Sequence, residues 1–243
     1  MDREPISWYT KRDGKGYPSK IHSPAMRVAV RQFRKEWMYM IKNVIFDFGN
    51  VLCLFDPDYI ACGFVDPDED PEGYRLFQQV VRRDWEGLDR GTVDYAQYIA
   101  ESMTLLPASL HASASAFFQD WYKRMPPLPG MEALLRELRE EGMGIYLLSN
   151  ATAYFASKMD EVPILQNFDG RVVSGSIQMM KPEPEIYRYL LDRYGLTAGE
   201  CLFLDDREEN ILGAWQCGIH GMVFNGDIEK VRQRLRAELA PIG

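Results

Sequence analysis

Four short apolar runs, each closed by a polar cluster, constrain this chain more than any other feature. They are Val44-Ile45-Phe46 before Asp47, Gly144–Leu148 before Ser149-Asn150, Cys201–Leu204 before Asp205-Asp206, and Met222–Phe224 before Asn225-Gly226. Runs that are short and apolar throughout read as strands buried on both faces, the pattern of a parallel sheet. Between them, apolar residues recur three and four apart in Met131–Glu141, Pro184–Tyr194 and Glu209–Cys217, and each of these helical patterns ends at a glycine: Gly142, Gly195 and Gly218. Strands that alternate with helices need right-handed crossovers. The expected fold class is therefore α/β, with a Rossmann-like parallel sheet as the core.

Residues 56–126 break this rhythm. Helix-compatible patterns run over Gly73–Arg83, Asp94–Met103 and Ala114–Arg124, with no strand alternation, and Pro126, Pro127 and Pro129 mark a return point. The expected organisation is a core of residues 43–55 and 127–243, a helical cap of residues 56–126 inserted after the first strand, and a basic N-terminal extension of residues 1–42, disordered or loosely attached. Charge supports the last division. The net charge of −8 splits into +6 over residues 1–42 and −14 over the remainder. A basic leader can bind an anionic surface, but a solvated tail is the simpler reading. The acidic body argues against nucleic acid as a partner. No run of eighteen apolar residues is present, so no membrane span is expected, and the polar start lacks an apolar signal core, which places the protein in the cytoplasm. Cys53, Cys62, Cys201 and Cys217 form no metal-ligand spacing and read as reduced thiols.

In a parallel α/β sheet, ligands bind beyond the carboxyl ends of the strands. Along the chain those ends offer Asp47-Phe48-Gly49-Asn50, then Ser149-Asn150, then Lys181-Pro182 in a connection, then Asp205-Asp206 with Asn210 one helical turn later. A carboxylate can attack phosphorus and divide one displacement into two. Two anions repel, so the attack needs cations nearby. Mg²⁺ prefers oxygen ligands, which Asp47 and Asp206 can supply. Lys181 is a point charge for phosphoryl oxygens, and Ser149 is a hydrogen-bond donor to them.

This ordered set resembles the haloacid dehalogenase-like superfamily over residues 43–226. The four stretches that carry the resemblance are VIFDFGNVL, IYLLSN, MKPEPEIY and LFLDDREEN. The resemblance implies Asp47 as nucleophile, Ser149, Asn150 and Lys181 as phosphate-binding residues, and Mg²⁺ held by Asp47, the Gly49 carbonyl and Asp206. Asp205 lies in or just behind that ligand set. Asn210 stands where the family has a later acid and is expected to orient Asp206 or a metal-bound water. The implied substrate is a small phosphomonoester, and the implied assembly a monomer or weak homodimer. The wording DFGNV is also similar to bacterial sugar-phosphate phosphatases, including α-D-glucose-1-phosphate phosphatases.

One departure matters. Phosphatases of the family usually carry a second Asp two residues after the nucleophile, as general acid and base, and this chain has Gly49. Asp56 is a substitute in sequence. Two rival functions stay open: a metal-independent haloacid dehalogenase, and a non-catalytic binder of phosphorylated metabolites. In the cap, Trp85, Asp89 and Arg90 could face a substrate, but a packed Trp among solvated charges is the simpler reading.

Overall fold

The computed structural model describes residues 41–239, with side chains through Leu235. The expectation of a loosely attached leader falls mainly on residues outside this range. Five strands form one sheet: β1 (Asn43–Phe46), β2 (Gly144–Ser149), β3 (Gly170–Val173), β4 (Cys201–Asp205) and β5 (His220–Val223). All neighbours are parallel, in the order β3-β2-β1-β4-β5. The ladder begins slightly before β1, because the Gly144 N–H donates to the Lys42 carbonyl and the Lys42 N–H to the Glu200 carbonyl, each at 2.9 Å.

The alternation along each strand divides two cores. Val44 and Phe46 of β1 face one apolar cluster with Leu202 and Leu204 of β4. Ile45 faces the other cluster with Phe203 and Leu148. The first face is covered by helix α6 (Met131–Glu140), by the C-terminal helix α11 (Ile228–Leu239) and by the helical segment after β1. The second face is covered by α9 (Pro184–Tyr194) and α10 (Glu208–Gln216). The central strands are thus covered on both faces, which is why Val44–Phe46 and Cys201–Leu204 are apolar throughout.

Strand β3 was not expected. Its four residues, GRVV, carry too little apolar character to stand out in sequence, and pairing with β2 defines it. The fourth strand read from sequence, Met222–Phe224, sits two residues earlier, because Leu202 of β4 pairs with His220.

Between β1 and β2 lie only helices: α1 (Pro57–Cys62), α2 (Pro71–Val81), α3 (Trp85–Arg90), α4 (Tyr95–Leu105) and α5 (His111–Asp120), followed by a 3₁₀ turn at Trp121–Arg124. Four of their N-termini are capped by aspartate side chains. Asp56 accepts from Asp58 N–H, Asp70 from Gly73, Asp84 from Gly87 and Asp94 from Gln97, at 2.8–3.0 Å. Each satisfies a backbone donor that the helix itself leaves open. These helices fill the stretch between β1 and β2 that the sequence reads as a helical cap. The remaining helices are α7 (Ala153–Lys158), after β2, and the single turn α8 (Ser174–Ile177), after β3. Among the described residues no helix is long and apolar enough to cross a membrane, and all four cysteines are free thiols.

Candidate active site

β1 is the central strand, with β2 on one side and β4 on the other, so its carboxyl end is the switch point of the sheet. Asp47 sits there. Its N–H donates to the Leu204 carbonyl at 2.9 Å, which continues the ladder by one residue and aligns it with the end of β4. Ser149 ends β2 and Asp205 ends β4; both are buried. Lys181, from the connection leading into α9, reaches between them. Its Nζ donates to Asp47 Oδ1 and Asp205 Oδ2, each at 2.7 Å.

The Lys181 backbone is held in place by Asn150. The Asn150 amide donates to the Lys181 carbonyl at 2.9 Å and accepts from its N–H at 2.8 Å. Sequence reasoning expects Asn150 among the substrate-binding groups. It borders the cavity, but its side-chain amide is engaged in positioning Lys181.

Asp205 is the most enclosed of the acids. Besides Lys181, it accepts from the Arg207 N–H at 2.9 Å and from both contacts of the Asn210 amide, at 3.0 and 3.1 Å. Asn210 therefore orients Asp205, where the sequence suggested Asp206. Asp206 is half-buried and bonded to the Asn50 side chain. Asn50 adopts a left-handed backbone (φ 56°), a conformation asparagine tolerates, and its Oδ1 also accepts from the Phe55 N–H at 3.0 Å.

One carboxylate oxygen from each of Asp47, Asp205 and Asp206 lies within 4.8 Å of the others. One buried ammonium among three acids leaves excess negative charge. Burial raises the Asp47 carboxyl to about 6 against the pull of Lys181, and burial followed by Asp205 raises Asp206. Burial alone would lower Lys181, but Asp47 and Asp205 together hold its ammonium above the usual lysine range. A set of hard oxygen donors with surplus negative charge fits a divalent cation such as Mg²⁺.

These groups open into a cavity of about 220 Å³. Its floor holds Asp47, Ser149, Lys181 and Asp206; its walls are largely aromatic, with Phe55, Trp85, Trp121 and Phe155. Two outcomes differ from expectation. Asp56, the substitute acid suggested by sequence, is an exposed helix cap and does not border the cavity. Trp85 and Asp89 of the cap do border it, while Arg90 turns away to pair with Glu183 at 2.7 Å. Spacing held the missed signal: Trp85 and Asp89 are four apart on one helix, so an inward-facing Trp85 brings Asp89 to the same side.

Comparisons with known proteins bear on the family and the fold. Residues 41–218 match the family described as haloacid dehalogenase-like hydrolase. A sesquiterpene phosphatase of Aspergillus oryzae is 29% identical over 184 residues, which is 74% of this chain and 88% of that one. A phosphoglycolate phosphatase of Vibrio cholerae is 26% identical over 75% of this chain and 84% of its own length. Haloacid dehalogenases also occur among the matches. Among solved structures, a haloacid dehalogenase family enzyme of Bacteroides thetaiotaomicron, in complex with magnesium and inorganic phosphate, superposes with a TM-score of 0.55 at 22% identity, over 79% of this chain and 98% of that one; the likeness shows the shared fold.

Proposed function

We propose that this chain, which belongs to the haloacid dehalogenase-like hydrolase family, is a magnesium-dependent phosphatase that frees phosphate from a small phosphorylated metabolite through an aspartyl-phosphate at Asp47. The observation that carries this reading is the meeting of Asp47, Lys181, Ser149 and Asp206 on the floor of one cavity. Residues 43–55 and 127–243 act as the core, and residues 56–126 as the cap that encloses the substrate.

The Asp47 carboxylate attacks phosphorus and displaces an alcohol; water then attacks the same phosphorus and restores the carboxylate. Lys181 faces the transferring group as a fixed positive charge that needs no reorganisation. Ser149 donates to a phosphoryl oxygen from the end of β2. Asp205 keeps Lys181 charged and aimed, and Asn150 keeps its backbone in place. Asp47, Asp206 and the Gly49 carbonyl are the groups that would hold Mg²⁺. When bound, that ion supplies positive charge that offsets the repulsion between the two anions. The cap limits water around the site.

The substrate class follows from the walls. A sugar phosphate is the first candidate, in line with the Asp47-Phe48-Gly49-Asn50 sequence. The aromatic walls also favour a phosphate ester with an apolar chain, as the name of the Aspergillus oryzae relative suggests. A screen over sugar phosphates, nucleotides and prenyl phosphates, with Mg²⁺ or with EDTA, tests both. Phosphate release that needs Mg²⁺ and is lost in Asp47→Asn supports the mechanism. Release that persists in EDTA, or in Asp47→Asn, removes it. Halide release from a 2-haloacid without metal would select the dehalogenase reading. Ligand binding without turnover across the whole panel would select a binder.

A further inference from the structure

Displacement of an alcohol from phosphorus leaves an alkoxide unless a proton arrives with it, and the water of the second step must lose one. No titratable side chain on the floor is suited to this. Lys181 is held between two carboxylates, Asp205 is saturated with donors, Asp47 is the attacking group, and Asp206 is committed to the metal in the reading above. Position 49 offers no side chain. A Cβ there would come 3.1 Å from the Phe55 Cβ, and Phe55 in turn packs edge-on against Trp85 at 6.5 Å. The Phe55 side chain crowds the room such a side chain would need.

The helix that begins with Trp85 brings an acid of its own. Asp89 borders the cavity together with Asp47. Its Oδ1 is fully buried and has no hydrogen-bonding partner among the described protein groups. An unpaired buried carboxyl oxygen costs free energy that a structural role does not return. The backbone around it, by contrast, is fastened to the core. Ser174 donates to the Asp89 carbonyl, Gln178 Nε2 donates to the Gly91 carbonyl at 3.0 Å, and Arg90 pairs with Glu183. Asp89 is thus a cap residue held against the core, with its carboxyl left free at the cavity.

We propose that Asp89 is the general acid and base of this enzyme, delivered to the site from the cap. The assignment rests on the phosphatase reading above. In the first step, the Asp47 oxygen forms a bond to phosphorus while the P–O bond to the alcohol breaks, and the proton of the Asp89 carboxylic acid passes to the leaving oxygen. In the second step, the Asp89 carboxylate takes a proton from water as the water oxygen bonds to phosphorus. The bond to Asp47 breaks, inorganic phosphate is released and Asp89 is again protonated. Burial, followed by the nearby Asp47 charge, raises the Asp89 carboxyl to about 7, which suits both directions of transfer near neutral pH. The charged groups that border the same cavity are Asp47, Lys181, Asp206 and Arg207.

Two esters of similar shape test the assignment with Mg²⁺ present. The nitrophenolate of p-nitrophenyl phosphate leaves without a proton; the alkoxide of benzyl phosphate does not. Asp89→Asn should lower kcat/KM for benzyl phosphate by about 10²–10⁴-fold. It should affect p-nitrophenyl phosphate far less in the first turnover, giving a burst of one nitrophenolate per site followed by slow release. The ratio between esters does not depend on the active fraction, and a melting curve reads the folded fraction in parallel. If Asp89→Asn does not fold, Asp89→Ala carries the same comparison. Equal losses on both esters without a burst, or wild-type rates on both, overturn the assignment. Turnover that Asp47→Asn abolishes but Asp89→Asn leaves intact overturns this assignment alone. Turnover that survives Asp47→Asn overturns the nucleophile and this assignment together.

Discussion

Each acid in this site is defined by what touches it. Lys181 is 3% exposed and lies between two carboxylates at 2.7 Å, so both share its ammonium. Removing one partner of a buried ion pair strands the rest, at a cost of about 3–5 kcal/mol. Lys181→Met should therefore lower stability by about that amount and also abolish turnover; a melting temperature equal to wild type in EDTA would contradict it. Titration gives a second expectation. Asp47 and Asp89 are raised from 3.8 to about 6 and about 7. Both bind protons more tightly folded than unfolded, so their contribution is complete below pH 3.8 and drains as pH rises through about 6 and 7. Without metal, the melting temperature should fall across that window, and Asp89→Asn should flatten the fall. An unchanged slope in the variant would contradict the shift. Asp47, Lys181, Asp205 and Asp206 were legible in the sequence because each follows an apolar run or precedes a proline at a connection. The division of labour between Asp205 and Asp206 was not legible. It depends on whether the Asn210 amide, five residues on, points at one or the other, and helical spacing does not decide that.

At the level of elements, the contact between α3 and α8 is where the cap meets the site. Gly91 closes α3 in a left-handed conformation (φ 75°), and a Cβ there would fall 2.3 Å from the Gly175 carbonyl oxygen. Backbone faces backbone at this point, so no side chain can move aside. Gly91→Ala combines the strain of a positive φ with that collision and should cost about 1–3 kcal/mol or force α3 off α8. The two are separated by kinetics. Displacement of α3 carries Asp89 away and lowers kcat/KM for benzyl phosphate beyond the loss of folded protein, whereas strain alone leaves activity per folded molecule unchanged. Wild-type stability together with wild-type activity would contradict the contact itself. Three of the inserted helices, α2, α4 and α5, were visible in sequence through their helix-compatible patterns, whereas the six-residue α1 and α3 were too short to stand out. The inward faces were not visible. A charged residue on a short helix reads as solvated, and only the placement of Trp85 among Phe55, Phe117 and Trp121 shows that this face of α3 turns inward. β3 was missed for a related reason, since four residues with one arginine become a strand only through pairing with β2.

Across the whole chain, charge divides near the start of the sheet. The +6 of residues 1–42 contrasts with −14 beyond them. The junction lies close to the start of the sheet. Ile41 is buried in the core against the β1 side, and Lys42 pairs with Glu200 at 2.6 Å while its backbone joins β1 to both neighbours. Within the described residues, every group assigned to the chemistry comes from position 47 or later. A chain that starts at Met40 should therefore fold and melt within a few degrees of the full chain, with kcat/KM for the best substrate of the screen within about twofold; a twofold change corresponds to only about 0.4 kcal/mol. Starting at Val44 should behave differently. It removes the Lys42 backbone bonds and the buried Ile41, and a central strand that begins two residues short holds Asp47 less firmly beside the end of β4. Two proteins with the same melting temperature would show that the sheet does not need these residues. An insoluble or inactive chain from Met40 would show that the basic leader belongs to the working protein.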